Sequence, residues 1–180
     1  MHKDIERVLF SHEQLVKECE RIGKKISQDY KDKEPIIVGL LNGAVPFVAE
    51  LIKHIDLPIE LEFIQVKSYY GGTKSTGAVN IVSNVNNKFQ GRDVIICDDI
   101  LDTGTTLVHI KNMIIMQGAK SVAIAALLNK VEAHKDLNLK IDYVGLDVEN
   151  LFVVGFGLDY NEKYRNLPYI GVLKETVYSK

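Results

Sequence analysis

The chain has 180 residues, 46% hydrophobic and 26% charged, with a formal net charge of −2. That balance predicts one globular domain able to bury a full core and excludes a disordered segment. It leaves no basic footprint for nucleic acid or an anionic membrane, and the longest apolar run, Val122 to Leu128, is far too short to span a bilayer.

Met1 to Arg7 mixes charges without an apolar stretch, so no secretion signal is expected. Ser11 and Gln14 form a capping box, opening a helix whose apolar stripe is Leu15, Cys19, Ile22 and Ile26. Cys19 and Cys97 stand far apart with no metal-ligand spacing, which points to free thiols and a reducing cytoplasm. Pro35 to Leu41 reads as a strand buried on both faces; Asn42-Gly43 breaks it, and Pro46 suits the first turn of a helix running to about Ile55. Ile59 to Val66 and Ala78 to Val85 read as strands bracketing a loop rich in Gly, Ser and Thr.

Gly91-Arg92 turns into the apolar run Val94 to Cys97, and Leu107, Ile110, Met113 and Ile114 mark a helix that closes at Gly118. Ser121 to Leu128 is a further buried strand, and Tyr143 to Leu146 and Phe152 to Phe156 are shorter ones. Strand and helix alternating in this order predict an α/β domain with a central parallel sheet flanked by helices.

The most informative segment joins the run Val94 to Cys97 to Asp98, Asp99, Ile100, Leu101, Asp102, Thr103, Gly104, Thr105 and Thr106. In an open α/β sheet, ligands bind in the crevice beyond the carboxyl ends of the strands. The Asp102–Thr106 turn would aim backbone N–H groups and hydroxyls at an anion from the start of the next helix. Beside it, Asp98 and Asp99 suit sugar hydroxyls and Mg²⁺. Any one of these aspartates could be a plain helix cap or a solvated strand end. Three at the end of one buried strand repel each other unless a partner compensates, which predicts a site for a phosphorylated sugar.

This segment resembles the ribose-phosphate signature of the type I phosphoribosyltransferases. Leu41-Asn42-Gly43, Lys67-Ser68-Tyr69, Leu127-Leu128-Asn129-Lys130 and Phe152 to Glu162 followed by Arg165 are similar to the 6-oxopurine branch of that family, over residues 8 to 176. The resemblance implies the type I phosphoribosyltransferase fold over residues 1–180, with a small hood from residues 1–10 and 140–175 above the carboxyl edge of the sheet and a mobile lid at 68–77. It implies transfer of the phosphoribosyl group from phosphoribosyl pyrophosphate to hypoxanthine and guanine, giving IMP or GMP and pyrophosphate, with Mg²⁺, in a homodimer or homotetramer.

Site roles follow from the same resemblance. Thr103, Gly104, Thr105 and Thr106 would hold the 5′-phosphate, and Asp98 and Asp99 the ribose hydroxyls and Mg²⁺. Asp102 would meet purine N7 as general acid/base. Asn42, Gly43, Ser68, Tyr69 and Arg165 would bind pyrophosphate, the Asn42 turn often through a cis peptide. Lys130 would donate to the 6-oxo group, Tyr143 would stack on the base, and Val144 and Asn150 would meet its edge. Asn42 stands where many members carry lysine. Asn150 stands where the branch's aspartate would ligate a second Mg²⁺, so the pattern leans towards hypoxanthine over guanine, with Glu149 as a possible substitute ligand. Two rival readings remain on the same fold: an enzyme preferring guanine or xanthine, and a non-catalytic regulator sensing phosphoribosyl pyrophosphate, for which the net charge offers no nucleic-acid face.

Overall fold

The computed structural model, which describes residues 1–68, 79–81, 88–134 and 139–179, begins with strand β1 (Ile5–Phe10) and helix α1 (His12–Asp29). Ser11 caps α1 reciprocally: its hydroxyl accepts from the Gln14 N–H, and the Gln14 side chain accepts from the Ser11 N–H. The stripe Leu15, Cys19, Ile22 and Ile26 is wholly buried, as positions three and four apart on one helical face require. Strand β2 (Ile36–Leu41) follows, then helix α2 (Val45–Leu51) with Pro46 in its first turn and a tighter 3₁₀ turn at Ile52–His54.

Next come strands β3 (Glu60–Ser68), β4 (Val79–Ile81) and β5 (Asp93–Leu101), helix α3 (Thr105–Met116) and strand β6 (Ser121–Asn129). Of the strand expected at Ala78 to Val85, Val79–Ile81 is described; residues 69–78 and 82–87 lie outside the described residues. The chain continues through β7 (Tyr143–Asp147), β8 (Val153–Val154), β9 (Ile170–Leu173) and the short helix α4 (Glu175–Tyr178).

The main sheet runs β4-β3-β2-β5-β6-β7; all its pairings are parallel except β3 with β4. Successive residues of its strands point to opposite faces. Ile37, Ile95, Cys97, Ala125 and Leu127 pack with α1 and α2, while Val38, Val94, Ile96, Ile124 and Ala126 pack with α3. Covered on both sides, these strands read as unbroken apolar runs. Each fully buried Ile or Leu contributes about 1.5–3 kcal/mol relative to exposure.

A second, antiparallel sheet of three strands, β1-β9-β8, joins the beginning of the chain to its end. One face of it, through Val153 and Val172, adds to the core under α1 and α2; the other carries Ile5, Val154 and Leu173 beneath Tyr160, Tyr164, Tyr169 and Tyr178. β7 does not belong to this small sheet. Its residues 143–147 pair with β6, which removes them from the hood expected over 140–175.

The order of strands locates the site. β2 leads through α2 to β3 on one side, and β5 leads through α3 to β6 on the other, while β2 and β5 are themselves neighbours. Where connections diverge in this way, the turns leave a crevice beyond the carboxyl ends of the two strands. Among the described residues no helix is long and apolar enough to cross a membrane.

Candidate active site

The crevice between β2 and β5 is walled by two short turns. After β5, the chain bends through Asp102 and Thr103 into α3, whose N-cap is Gly104 at φ 72° with no side-chain capping bond. The first helical bond there is Val108 N–H to Gly104 O, 3.0 Å. The helix N-terminus therefore keeps N–H groups directed outward with the positive end of its dipole, an arrangement suited to a phosphate. Asp102 is thus not the helix cap, and its carboxylate pairs instead with Lys130.

Asp98 and Asp99 sit at the end of β5, half-buried. Asp98 accepts from the Asp99 N–H at 3.1 Å, and Asp99 accepts from the Ile100 N–H at 2.9 Å. Burial, then the charge of Asp99, lifts Asp98 well above the usual carboxylate range. Burial also lifts Asp99, opposed by hydrogen bonds from Asp98 and the Ile100 N–H and by the charge of Arg165. A native pair with raised pKa holds protons that the unfolded chain has released. It therefore costs stability as pH climbs above the ordinary Asp value of about 3.9. Asp98→Asn is expected to raise the melting temperature of the unliganded protein at pH 7, by about 2–4 °C for each kcal/mol of relieved repulsion. The gain should fade towards pH 4. A melting temperature at pH 7 that drops instead would show that the two carboxylates do not repel each other.

The second wall is the turn after β2. The Leu41–Asn42 peptide is cis, and Asn42 is exposed. A Cβ on Gly43 would overlap the Asp99 carboxylate, so only glycine lets this turn lie directly against the acidic pair. On its far side the Gly43 carbonyl meets Gly157, at φ +104°, so closely that a Cβ on Gly157 would also collide. Three backbone and side-chain layers are thereby packed in sequence: Asp99, the Gly43 turn and the Gly157 loop of the hood.

Arg165 ties that loop down. Its Nη1 donates to Gly157 O at 2.8 Å, and its Nη2 pairs with Asp159 at 2.9 Å and Glu162 at 3.2 Å. Its Nε is buried without an acceptor, a donor still to be satisfied. On the opposite flank, Lys130 follows β6. Its N–H donates to Leu101 O at 2.9 Å, and its ammonium, largely buried, stands 3.9 Å from the exposed Asp102 carboxylate. The fold thus gathers Asp98, Asp99, the 102–106 turn and Lys130 on one rim, and Asn42, Gly43, Asp159 and Arg165 on the other.

A model of the phosphoribosyl transferase domain matches residues 8–161. The chain belongs to the phosphoribosyltransferases. It is 51% identical over 180 residues to a hypoxanthine-guanine phosphoribosyltransferase of Streptococcus thermophilus, covering 100% of this chain and 99% of that one. Against the corresponding protein of Streptococcus agalactiae the identity is 48%, with the same coverage. The crystal structure of a hypoxanthine phosphoribosyltransferase from Staphylococcus aureus superposes with a TM-score of 0.94 at 42% identity, covering 100% of this chain and 97% of that chain.

Not every residue expected at a phosphoribosyltransferase site arrives there. Tyr143 opens β7 opposite Ala125, four residues before the carboxyl end of that pairing at Asp147 and Asn129. Its ring is buried, and its hydroxyl donates to Asp29 at the end of α1, 3.0 Å away. The Val144 carbonyl accepts from Arg21 of α1. This corrects the expectation that Tyr143 and Val144 meet the base: Tyr143 faces the α1 layer, the Val144 carbonyl is held by Arg21, and both stand at the amino end of their strand. Asn150 lies exposed in the bend after β7. The fold delivers two carboxylates to Arg165, Asp159 and Glu162, both within the motif Phe152 to Glu162 and neither among the expected site residues. Phe152 is likewise absent from those expectations: it is a 38% exposed aromatic where the chain passes from the main sheet into the small one. Its ring stands beside the buried pair Val153–Val154, and nothing in the sequence marks it as exposed. Ser68 ends β3, and Tyr69 with the rest of the lid expected at 68–77 lies outside the described residues.

Proposed function

We propose that this phosphoribosyltransferase moves the 5-phosphoribosyl group from phosphoribosyl pyrophosphate onto hypoxanthine and guanine, releasing pyrophosphate. The observation that carries this reading is the pairing of a helix N-terminus without a side-chain cap, at Gly104, with a rim of three aspartates and Lys130. The 5′-phosphate binds the 102–106 turn, where backbone N–H groups and the hydroxyls of Thr103, Thr105 and Thr106 receive it. Asp98 and Asp99 take the ribose hydroxyls as acceptors. The base enters above Lys130, whose ammonium donates to the 6-oxo group. Adenine offers no acceptor there, so its binding leaves a buried donor unpaired.

Phe152 is the platform for the base, in place of Tyr143, because its ring is exposed where the hood begins. Asp102 receives or holds the proton at purine N7, and Lys130 orients its carboxylate. Pyrophosphate leaves across the Asn42-Gly43 turn towards Arg165, whose unpartnered Nε and forked guanidinium suit phosphate oxygens.

The acidic pair also fits Mg²⁺. Two adjacent hard carboxylates, both raised by burial, gain from a divalent cation. Among the described residues no three His, Cys, Asp or Glu groups converge as a complete metal cage, so the ion would share its coordination with substrate oxygens. Mg²⁺ held there would neutralise charge on the departing pyrophosphate. Asp159, beside Arg165, is the carboxylate suited to a second ion, at a place where the sequence offered only the neutral Asn150 with Glu149 as substitute. With Asp159 in that place, the ground for preferring hypoxanthine over guanine goes.

The test is to supply Mg²⁺ and phosphoribosyl pyrophosphate with hypoxanthine, guanine, xanthine or adenine in turn, and to quantify nucleotide and pyrophosphate. IMP and GMP should form with stoichiometric pyrophosphate, and adenine should be inert. Bound phosphoribosyl pyrophosphate with no product from any base would support a non-catalytic sensor instead.

A further inference from the structure

The last turn of the chain reaches back to the residue proposed as the base platform. Helix α4 holds only Glu175–Tyr178, yet it is well anchored. The Lys174 N–H donates to Asp4 O at 3.0 Å, and the Lys174 ammonium donates to Lys3 O at 2.6 Å. The Leu173 N–H donates to Phe152 O at 2.9 Å, and Val177 packs on the cluster of Ile5, Val154 and Leu173. So fixed, Tyr178 lays its ring on Phe152 with centroids 4.7 Å apart and planes 18° from parallel. Tyr160 meets the same ring edge-on, at 5.6 Å and 84°. One face and one edge of Phe152 are thus taken by the protein, and 38% of the residue remains open.

We propose that Tyr178 is a positioning residue for the purine, acting through Phe152: it backs the ring so that the open face is set before a base arrives. The inference rests on Phe152 being the base platform. An unsupported phenylalanine at a sheet junction turns about two side-chain torsions, and binding must then pay to order it. A ring held by an offset stack on one side and an edge contact on another is ordered in advance, and the base completes a three-layer stack. The aromatic ring matters in this arrangement and the Tyr178 hydroxyl does not.

The experiment compares Tyr178→Ala, Tyr178→Phe, Phe152→Ala and the double variant Phe152→Ala/Tyr178→Ala in full-length enzyme, measuring KM for hypoxanthine and for phosphoribosyl pyrophosphate. Tyr178→Ala should raise the hypoxanthine KM roughly three- to tenfold. The phosphoribosyl pyrophosphate KM should stay unchanged, and Tyr178→Phe should match wild type. In the double variant the Tyr178 change should add nothing to Phe152→Ala, as expected when one residue acts only through the other. An unchanged hypoxanthine KM in Tyr178→Ala, beside a raised one in Phe152→Ala, overturns this inference alone. Additive effects, or an equal rise in both KM values, overturn it too, since Tyr178 would then act elsewhere or merely hold the hood together. An unchanged hypoxanthine KM in Phe152→Ala overturns the platform reading and this inference with it.

Discussion

Asp102→Asn is expected to lower kcat by roughly 10²–10⁴ while leaving phosphoribosyl pyrophosphate binding largely intact, the usual loss when a general acid/base is removed. The binding side of that expectation follows from α3. Its N-terminus is capped by Gly104 without any side-chain bond, so exchanging the Asp102 carboxylate for an amide removes no cap and leaves the phosphate cradle formed. The catalytic side follows from Lys130. Its ammonium stands 3.9 Å from the Asp102 carboxylate, an attraction an amide does not retain, and an amide neither gives up nor takes the N7 proton. Pre-steady-state measurement of nucleotide formation separates the two. Unchanged turnover would remove Asp102 from the chemistry.

Gly157→Ala is expected to damage stability and activity together. At φ +104° an alanine is strained by roughly 1–3 kcal/mol, and its Cβ would also collide with the Gly43 carbonyl. Backbone atoms cannot swing aside as a side-chain tip can, so overpacking adds roughly 1–3 kcal/mol. A combined loss of about 2–6 kcal/mol corresponds to a fall in Tm of roughly 4–24 °C. Because Gly43 lies directly against Asp99, the displaced turn should also raise the KM for phosphoribosyl pyrophosphate. Gly91→Ala is the control: φ is +68°, and nothing stands within 4 Å of its Cβ, so only backbone strain is felt. Thermal melts and kinetics that make Gly157→Ala no worse than Gly91→Ala would show that the hood does not bear on the pyrophosphate turn.

What could be read from the chain was local. Ser11 and Gln14 sit three residues apart and cap α1 through their own side chains. The run into Asp98 and Asp99 needed only an apolar strand and the rule that ligands gather at its carboxyl end. What escaped depended on pairing. Tyr143 looks the same at either end of a strand, and only the register of β7 on β6 sets it beside Ala125 and against Asp29. β8 is two residues long, too short for alternation to reveal which way Phe152 points. Asp159 meets Arg165 because Asn161, Glu162 and Tyr164 take positive φ and turn the chain back on itself, a conformation their side chains do not announce. The residues of β7 likewise suit either sheet until they pair with β6.

The most direct test is a crystal structure of the enzyme with IMP and Mg²⁺. The phosphate is expected in the Asp102–Thr106 turn, the ribose hydroxyls on Asp98 and Asp99, the 6-oxo group on Lys130 and the purine face on Phe152. A phosphate elsewhere, or a base stacked against Tyr143 at the other end of β7, would contradict this arrangement.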